Sequence, residues 1–375
     1  MTTNAMLKSM KSIEEAAVTG KRVLVRVDAN VPMDGDRVRD DYRLRAMIPT
    51  LEFLLNRKAK VILMAHLGQP KSPTDFPSLK PVYEELSKII NRPISFAPEL
   101  LADNTKKMID ELQEGEILGL ENLRSNEGET KNSRTFAQQL AQYGEIYVND
   151  AFSVSHREAA SLVAITEFLP SYAGLLLERE YNILSNLLRN PANPFVVVIG
   201  GAKIEDKLPV IKKLLDKADK ILLGGGVANT FLAAQGVDVK KSLVNREYLD
   251  ISKDIFKQAN GKVVLPIDYV FDADAIVDIG TSATAQFQRY LASAKTIFWN
   301  GNMGKSEIEQ FALGSEGIAR AMTESGATTI IAGGNTIDIC NHLRLLNKMS
   351  FASSGGGATL ELLSGETMPG IKALG

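Results

Sequence analysis

The sequence predicts an α/β protein made of two doubly wound, Rossmann-like parallel-sheet domains joined by a hinge helix, and three observations carry that expectation. Its 375 residues exceed what one hydrophobic core usually organises, since domains of about 100 to 200 residues are the common unit. Short runs rich in Val, Ile and Leu recur along the whole chain, and apolar residues between them are spaced as on one face of a helix. Strand alternating with helix means parallel sheets covered by helices.

The apolar runs fall at 22–27, 60–65, 116–120, 145–149, 195–199, 220–223, 262–265, 295–299, 328–332 and 349–352. Most of them read as buried parallel strands. Helical spacing shows between them, as in Val82, Leu86, Ile89 and Ile90, or Ile204, Leu208, Ile211 and Leu215. The boundary is expected where Pro170 precedes an apolar helical segment at 175–188 and Asn190-Pro191-Ala192-Asn193-Pro194 closes it. This gives a first domain at 1–172, a hinge helix at 173–192 and a second domain at 193–360.

Composition narrows the function. A formal net charge of -2 carries no basic excess, so no nucleic-acid partner is expected. One cysteine, Cys340, excludes an internal disulfide framework, and three histidines make a Cys/His zinc site a poor expectation. Residues 1–11 lack the apolar core of a signal peptide, and no apolar run approaches the roughly 18 residues of a membrane span. A cytoplasmic protein with no membrane association is the expectation.

In open α/β sheets ligands bind beyond the carboxyl ends of the strands, so the residues following each strand are where chemistry belongs. The two halves differ there. After first-half strands stand Asp28 and Asn30, His66 and Gln69, Glu121, Asn122 and Arg124, then Asp150, His156 and Arg157. After second-half strands stand Gly200-Gly201-Ala202-Lys203, Gly224-Gly225-Gly226, Asn300-Gly301, Gly333-Gly334-Asn335-Thr336 and Gly355-Gly356-Gly357.

Arginine's planar fork matches carboxylate and phosphate oxygens, so Arg43, Arg124 and Arg157 with His66 suit a small, multiply anionic metabolite. Taken singly, each arginine reads as well as a solvated surface charge, and Asp28 and Asn30 as turn formers. Shared placement at strand ends favours the site. Glycines after strands let backbone N–H groups approach an anion, and a following helix N-terminus adds its positive dipole end. Lys203 and Lys207 bracket Asp206, read as a helix N-cap with Pro209 in the tolerated first turn. Their ammonium groups would face the same anion. The segment Gly304-Lys305-Ser306 ends like a P-loop, but that pattern requires glycine at 299, where Trp299 stands.

Taken together these stretches resemble the phosphoglycerate kinase family over nearly the whole chain. The resemblance rests on Arg26-Val27-Asp28-Ala29-Asn30-Val31-Pro32 followed by Arg43, Ala65-His66-Leu67-Gly68-Gln69-Pro70, Glu121-Asn122-Leu123-Arg124, and Asn149-Asp150-Ala151-Phe152 with His156-Arg157. The second half adds Gly200-Gly201-Ala202-Lys203, Gly224-Gly225-Gly226-Val227-Ala228-Asn229-Thr230-Phe231, Trp299-Asn300-Gly301 and Ser354-Gly355-Gly356-Gly357-Ala358. Each motif is weak alone; their order is specific.

The resemblance implies an enzyme moving a phosphoryl group between 1,3-bisphosphoglycerate and ADP, giving 3-phosphoglycerate and ATP with Mg2+ as the metal. It makes Asp28, Asn30, Arg43, His66, Gln69, Arg124 and Arg157 the 3-phosphoglycerate site. Gly200, Lys203, Lys207, Gly225, Glu307, Gly333, Gly334, Asn335 and Thr336 become the nucleotide site, with Glu307 on the ribose. Arg43, Lys203 and the backbone N–H groups of Gly334 and Gly356 would surround the transferring phosphoryl, as hinge closure unites the half-sites. The resemblance further implies a monomer whose segment 361–375 returns to the first domain.

This chain departs from the family pattern in places. Gln69 stands where arginine is usual and removes a positive charge, for which Lys71 is a candidate substitute. Asn335 replaces the usual aspartate, leaving a neutral oxygen as a weak metal ligand. Asn302 replaces a proline, and Lys305-Ser306 a more apolar pair. These changes raise a second expectation, a catalytically weak paralogue that binds metabolites or partners; retention of Arg43, Lys203, Lys207 and Thr336 argues against it.

Overall fold

The computed structural model describes residues 10–69 and 76–375; Pro70 and Lys71 lie outside the described residues. The chain divides into two compact units, the described part of Met1–Ile183 with Thr367–Gly375, and Leu184–Glu366. The division falls inside the helix Leu175–Arg189.

The first unit contains β1 (Arg22–Arg26), a hairpin of β2 (Met33–Asp34) and β3 (Arg37–Val38), then β4 (Lys60–Met64), β5 (Ile94–Ala97), β6 (Ile117–Leu120), β7 (Ile146–Asn149) and β8 (Ser171–Ala173). Six of these form one sheet in the order β5-β6-β4-β1-β7-β8. Every pairing in it is parallel. Val23, Leu24 and Val25 of β1 are all fully buried, which explains why the strand reads as a continuous apolar run rather than an alternating one.

The second unit contains β9 (Phe195–Ile199), β10 (Lys220–Leu223), β11 (Val263–Val264), an antiparallel pair β12 (Tyr269–Asp272) and β13 (Ala275–Ile279), then β14 (Thr296–Asn300), β15 (Thr328–Ala332) and β16 (Phe351–Ser353). Its six-stranded sheet runs β11-β10-β9-β14-β15-β16, all parallel. Both sheets reverse direction of growth beside their first strand. The crevice that favours ligands therefore opens beyond β1 and β7 in one unit and beyond β9 and β14 in the other.

Two local expectations are corrected. Asp206 does not cap the helix Leu208–Leu214; Lys207 occupies that position without a side-chain cap, because Ile204 O already accepts both Lys207 N and Leu208 N in a preceding turn. Pro209 does sit in the first turn. The segment that clusters with the first unit begins at Thr367, not 361, because the helix Gly356–Ser364 continues and ends on Gly365 with φ 89°. Beyond it, Gly370 N donates to Ser155 O at 2.9 Å, and Asn149 Nδ2 donates to Gly370 O at 3.2 Å.

Candidate active site

In the second unit the glycine turns pack against one another. Gly200 N donates to Asn300 O at 2.9 Å, Gly201 N to Asn302 O at 2.8 Å, and Gly225 N to Met303 O at 2.8 Å. Gly301 has φ 87°, and a Cβ there would lie 2.3 Å from Gly200 O, so no other residue fits. Trp299 directs its Nε1–H to Gly301 O at 2.8 Å, and Thr336 Oγ1 accepts Gly301 N at 2.8 Å. The expected P-loop obstacle thus serves as a brace for this turn.

These turns line a cavity of about 490 Å3 with Lys203, Lys207, Gly225, Glu307, Gly333, Asn335, Gly356 and Gly357. The helices Gly334–His342 and Gly356–Ser364 begin on its wall, and a Cβ at Gly334 or Gly357 would meet nothing within 4 Å. Helix N-termini on a cavity wall suit anionic oxygens. Lys207 donates to Asn300 Oδ1, and burial lowers its pKa to about 8 against the opposing pull of Asp206. Lys203 and Glu307 are exposed on the cavity rim. Sequence reasoning passed over Asp278, a buried carboxyl on the same wall that accepts Gly314 N at 2.7 Å; burial raises its pKa to about 6.

The first unit gathers cations around His66. The imidazole is 2% exposed, and burial holds its pKa well below the usual range, reinforced by Arg26, Arg124, Arg43 and Arg157. Arg43 donates through Nη1 to Asn30 O at 2.7 Å and lies 3.2 Å from Asp28 Oδ2. Asp28 is 1% exposed, accepts Asn30 N at 3.2 Å and the Ser153 hydroxyl, and so holds Arg43 in place. Asn30 Oδ1 accepts Gly68 N at 2.9 Å, and Arg124 donates to Gly68 O. Arg124 is half-buried, and its pKa is lowered by burial and then by Arg157 and Arg26. Arg157 is exposed and lies 3.2 Å from His156 Nε2.

The structure therefore brings Asp28, Asn30, Arg43, His66, Arg124 and Arg157 into one neighbourhood, and Gln69 is exposed beside Gly68. Asp28 and Asn30 spend their oxygens on Arg43, Ser153 and the Gly68 backbone, so they organise the cluster more than they offer acceptors to a ligand. Sequence reasoning gave Arg26 no role. A signal was present: a guanidinium inside an apolar run that reads as a buried strand must find acceptors in the interior.

Guanidiniums suited to an anionic metabolite on one sheet, with cavity-lining helix N-termini suited to phosphates on the other, mark a small-molecule phosphotransferase. Comparison with known proteins is more specific. The family model described as phosphoglycerate kinase matches residues 13–366. The chain is 42% identical to the phosphoglycerate kinase of Rubrobacter xylanophilus and 40% identical to that of Pelotomaculum thermopropionicum, each match covering 97% of this chain and 98% of the relative. Among solved structures it is similar to phosphoglycerate kinase from Pyrococcus horikoshii, with TM-score 0.89 at 30% identity, and from Coxiella burnetii, with TM-score 0.84 at 34% identity. Both cover 97% of this chain and 98% of the solved one. The chain belongs to the phosphoglycerate kinase family.

Proposed function

We propose that this protein catalyses reversible phosphoryl transfer between 1,3-bisphosphoglycerate and ADP. The observation that carries this reading is the division of chemistry between the two sheets, guanidiniums converging on His66 at one and glycine turns with helix N-termini lining a cavity at the other. The first cluster holds 3-phosphoglycerate through Arg43, His66, Arg124 and Arg157. The second holds the nucleotide phosphates on Lys203, Lys207 and the N–H groups around Gly334 and Gly356, with Glu307 reaching the ribose.

In the direction of ATP consumption a carboxylate oxygen of 3-phosphoglycerate forms a bond to the γ-phosphorus. The bond from that phosphorus to the β,γ-bridging oxygen breaks, and its electron pair leaves with ADP. Both the carboxylate and the phosphate oxygens are ionised near neutral pH, so no general base is required. Catalysis is positioning and neutralisation of charge on the moving oxygens. Because the two reactants bind on different units, turnover requires closure of a hinge, which also excludes water from the acyl phosphate.

Among the described residues no group of three or more His, Cys, Asp and Glu is arranged to hold a metal. Magnesium would enter with the nucleotide phosphates, and the Asn335 amide oxygen would be the protein's candidate ligand to it. When bound, it neutralises phosphate charge. No helix among the described residues is long and apolar enough to cross a membrane. We place the protein in the cytoplasm as a monomer.

A coupled assay of ATP-dependent 3-phosphoglycerate phosphorylation tests the reading, with ATP hydrolysis in the absence of 3-phosphoglycerate as control. Phosphorylation without appreciable hydrolysis is expected; hydrolysis alone would overturn it.

A further inference from the structure

Arg26 closes β1 with its side chain 2% exposed, so its charge has to be answered inside the protein. Nη1–H donates to Val27 O at 2.6 Å, and Nε–H donates to Ser161 Oγ at 3.0 Å. Nη2 lies 3.0 Å from His66 Nδ1. A guanidinium has five N–H donors and no acceptor. The proton in that contact comes from the arginine, so Nδ1 is the acceptor and the neutral ring carries its own proton on Nε2.

The far side of Arg26 is equally determined. Ser161 Oγ–H donates to Glu129 Oε1 at 2.6 Å while Ser161 N donates to Glu129 Oε2 at 3.0 Å. With its one hydroxyl proton spent on Glu129, Ser161 Oγ accepts from Arg26. Tyr147 fixes the same residue by donating its hydroxyl to Ser161 O at 2.6 Å. Glu129 is 2% exposed, and Ser161 and Tyr147 are fully buried. One buried carboxylate thus balances one buried guanidinium through a serine, and every proton in the chain has a defined direction.

We infer that Arg26, backed by Ser161 and Glu129, is a positioning residue that fixes His66 as its Nε2–H tautomer, so that the imidazole presents a neutral hydrogen-bond donor to an anionic oxygen of the glycerate substrate. This rests on the assignment of His66 to the substrate site. The opposite tautomer would aim a lone pair at the anion and repel it. The charged groups acting on the ring are Arg26, Arg43, Arg124 and Arg157, all cations, so a second proton on the imidazole is disfavoured too. The guanidiniums supply charge, and His66 supplies direction.

Nitrogen-15 NMR reads this directly, because the chain has only three histidines. In the unaltered protein His66 is expected to show an unprotonated, pyridine-like Nδ1 and a protonated, pyrrole-like Nε2 at neutral pH. Arg26→Met should convert the ring to a mixture of tautomers and raise the KM for 3-phosphoglycerate about tenfold, the scale of one hydrogen bond to a charged group. The KM for ATP should stay in place. Arg26→Lys, which keeps a charged donor, should restore part of the single-tautomer signature, and Ser161→Ala should shift it in the same direction as Arg26→Met but less.

A native His66 protonated on Nδ1, or an Arg26→Met protein with the native tautomer and an unchanged KM for 3-phosphoglycerate, would overturn the inference. Should Arg26→Met fail to fold, the native spectrum and Ser161→Ala decide the matter. His66→Ala separates the two layers. An unchanged KM for 3-phosphoglycerate in that variant removes His66 from the substrate site, whereas a raised KM beside an unaltered tautomer in Arg26→Met overturns the relay alone.

Discussion

The ammonium of Lys207 donates to Asn300 Oδ1 while the same amide donates through Nδ2 to Ala332 O at 2.8 Å, tying the helix start at Leu208 to the ends of β14 and β15. One side chain thus carries charge to the glycine turns and is held there by a neutral partner. Burial outweighs the opposing pull of Asp206, which is why the pKa of Lys207 falls to about 8. The value of kcat/KM for ATP, which reports the free enzyme, should therefore fall above about pH 8 as the ammonium loses its proton.

Stability runs the other way in that window. The unfolded lysine keeps its proton to about pH 10.4, so between the two values the unfolded state binds more protons and folding becomes more favourable as pH rises. Loss of kcat/KM above about pH 8 with an unchanged or rising melting temperature would separate the site from unfolding. Lys207→Arg should flatten the profile. A profile of the unaltered protein that is flat to pH 10 would remove Lys207 from the phosphate site.

Arg43 joins the surface of the substrate cluster to its buried support. Arg43→Ala removes the guanidinium proposed to face the transferring phosphoryl, and kcat should fall about a thousandfold, as for loss of a charge-stabilising donor. It also leaves Asp28, 1% exposed, without its ionic partner, so the melting temperature should drop measurably. Nucleotide affinity should be unchanged. Comparable turnover in the variant and the parent would exclude Arg43 from the reaction.

Asp150 lies beneath the start of the helix Leu175–Arg189, accepting Leu176 N at 2.9 Å and Leu177 N at 3.2 Å through Oδ1. Burial raises its pKa to about 7 in spite of those donors. A carboxyl raised in the folded state binds its proton more tightly there, so its cost is absent in acid and grows as pH climbs from about 4 to about 7. Asp150→Asn keeps the accepting oxygen and discards the charge. Relative to the parent it should gain stability across that window, on the order of 4 kcal/mol by pH 8, in chemical denaturation. A difference independent of pH would mean that Asp150 stays ionised.

What could be read from the sequence follows the strength of burial. Phe195–Ile199 lies near the centre of its sheet and is buried along its whole length, and its uninterrupted apolar run sets its bounds. Ile94–Ala97 and Ser171–Ala173 are edge strands, partly exposed, and the second has only three residues, too few for a pattern. The hairpin at Met33–Val38 is held by turn geometry instead of apolar periodicity. At the site, residues that follow strands were legible because the chain must turn there. Arg26 and Asp278 were not, since each lies within a strand and only the folded chain reveals what answers its charge.

Asn335 is exposed in the first turn of the helix Gly334–His342 and lines the proposed nucleotide cavity. A carboxylate near a nucleotide-bound divalent cation attracts it by a full charge, whereas an amide oxygen offers only a dipole. Asn335→Asp should make activity saturate at lower magnesium. The helix N-terminus independently favours an anion at this position by about 0.5 kcal/mol, so a small rise in melting temperature is expected whether or not metal is near. Stability alone therefore does not discriminate. An added anion also repels the nucleotide when magnesium is scarce, so the variant should bind nucleotide less well than the parent at low metal and at least as well at high metal, with the two curves crossing in a full titration. Superimposable magnesium curves and unchanged nucleotide affinity would place Asn335 away from the metal and leave the carboxamide as an ordinary residue of a strand-to-helix turn.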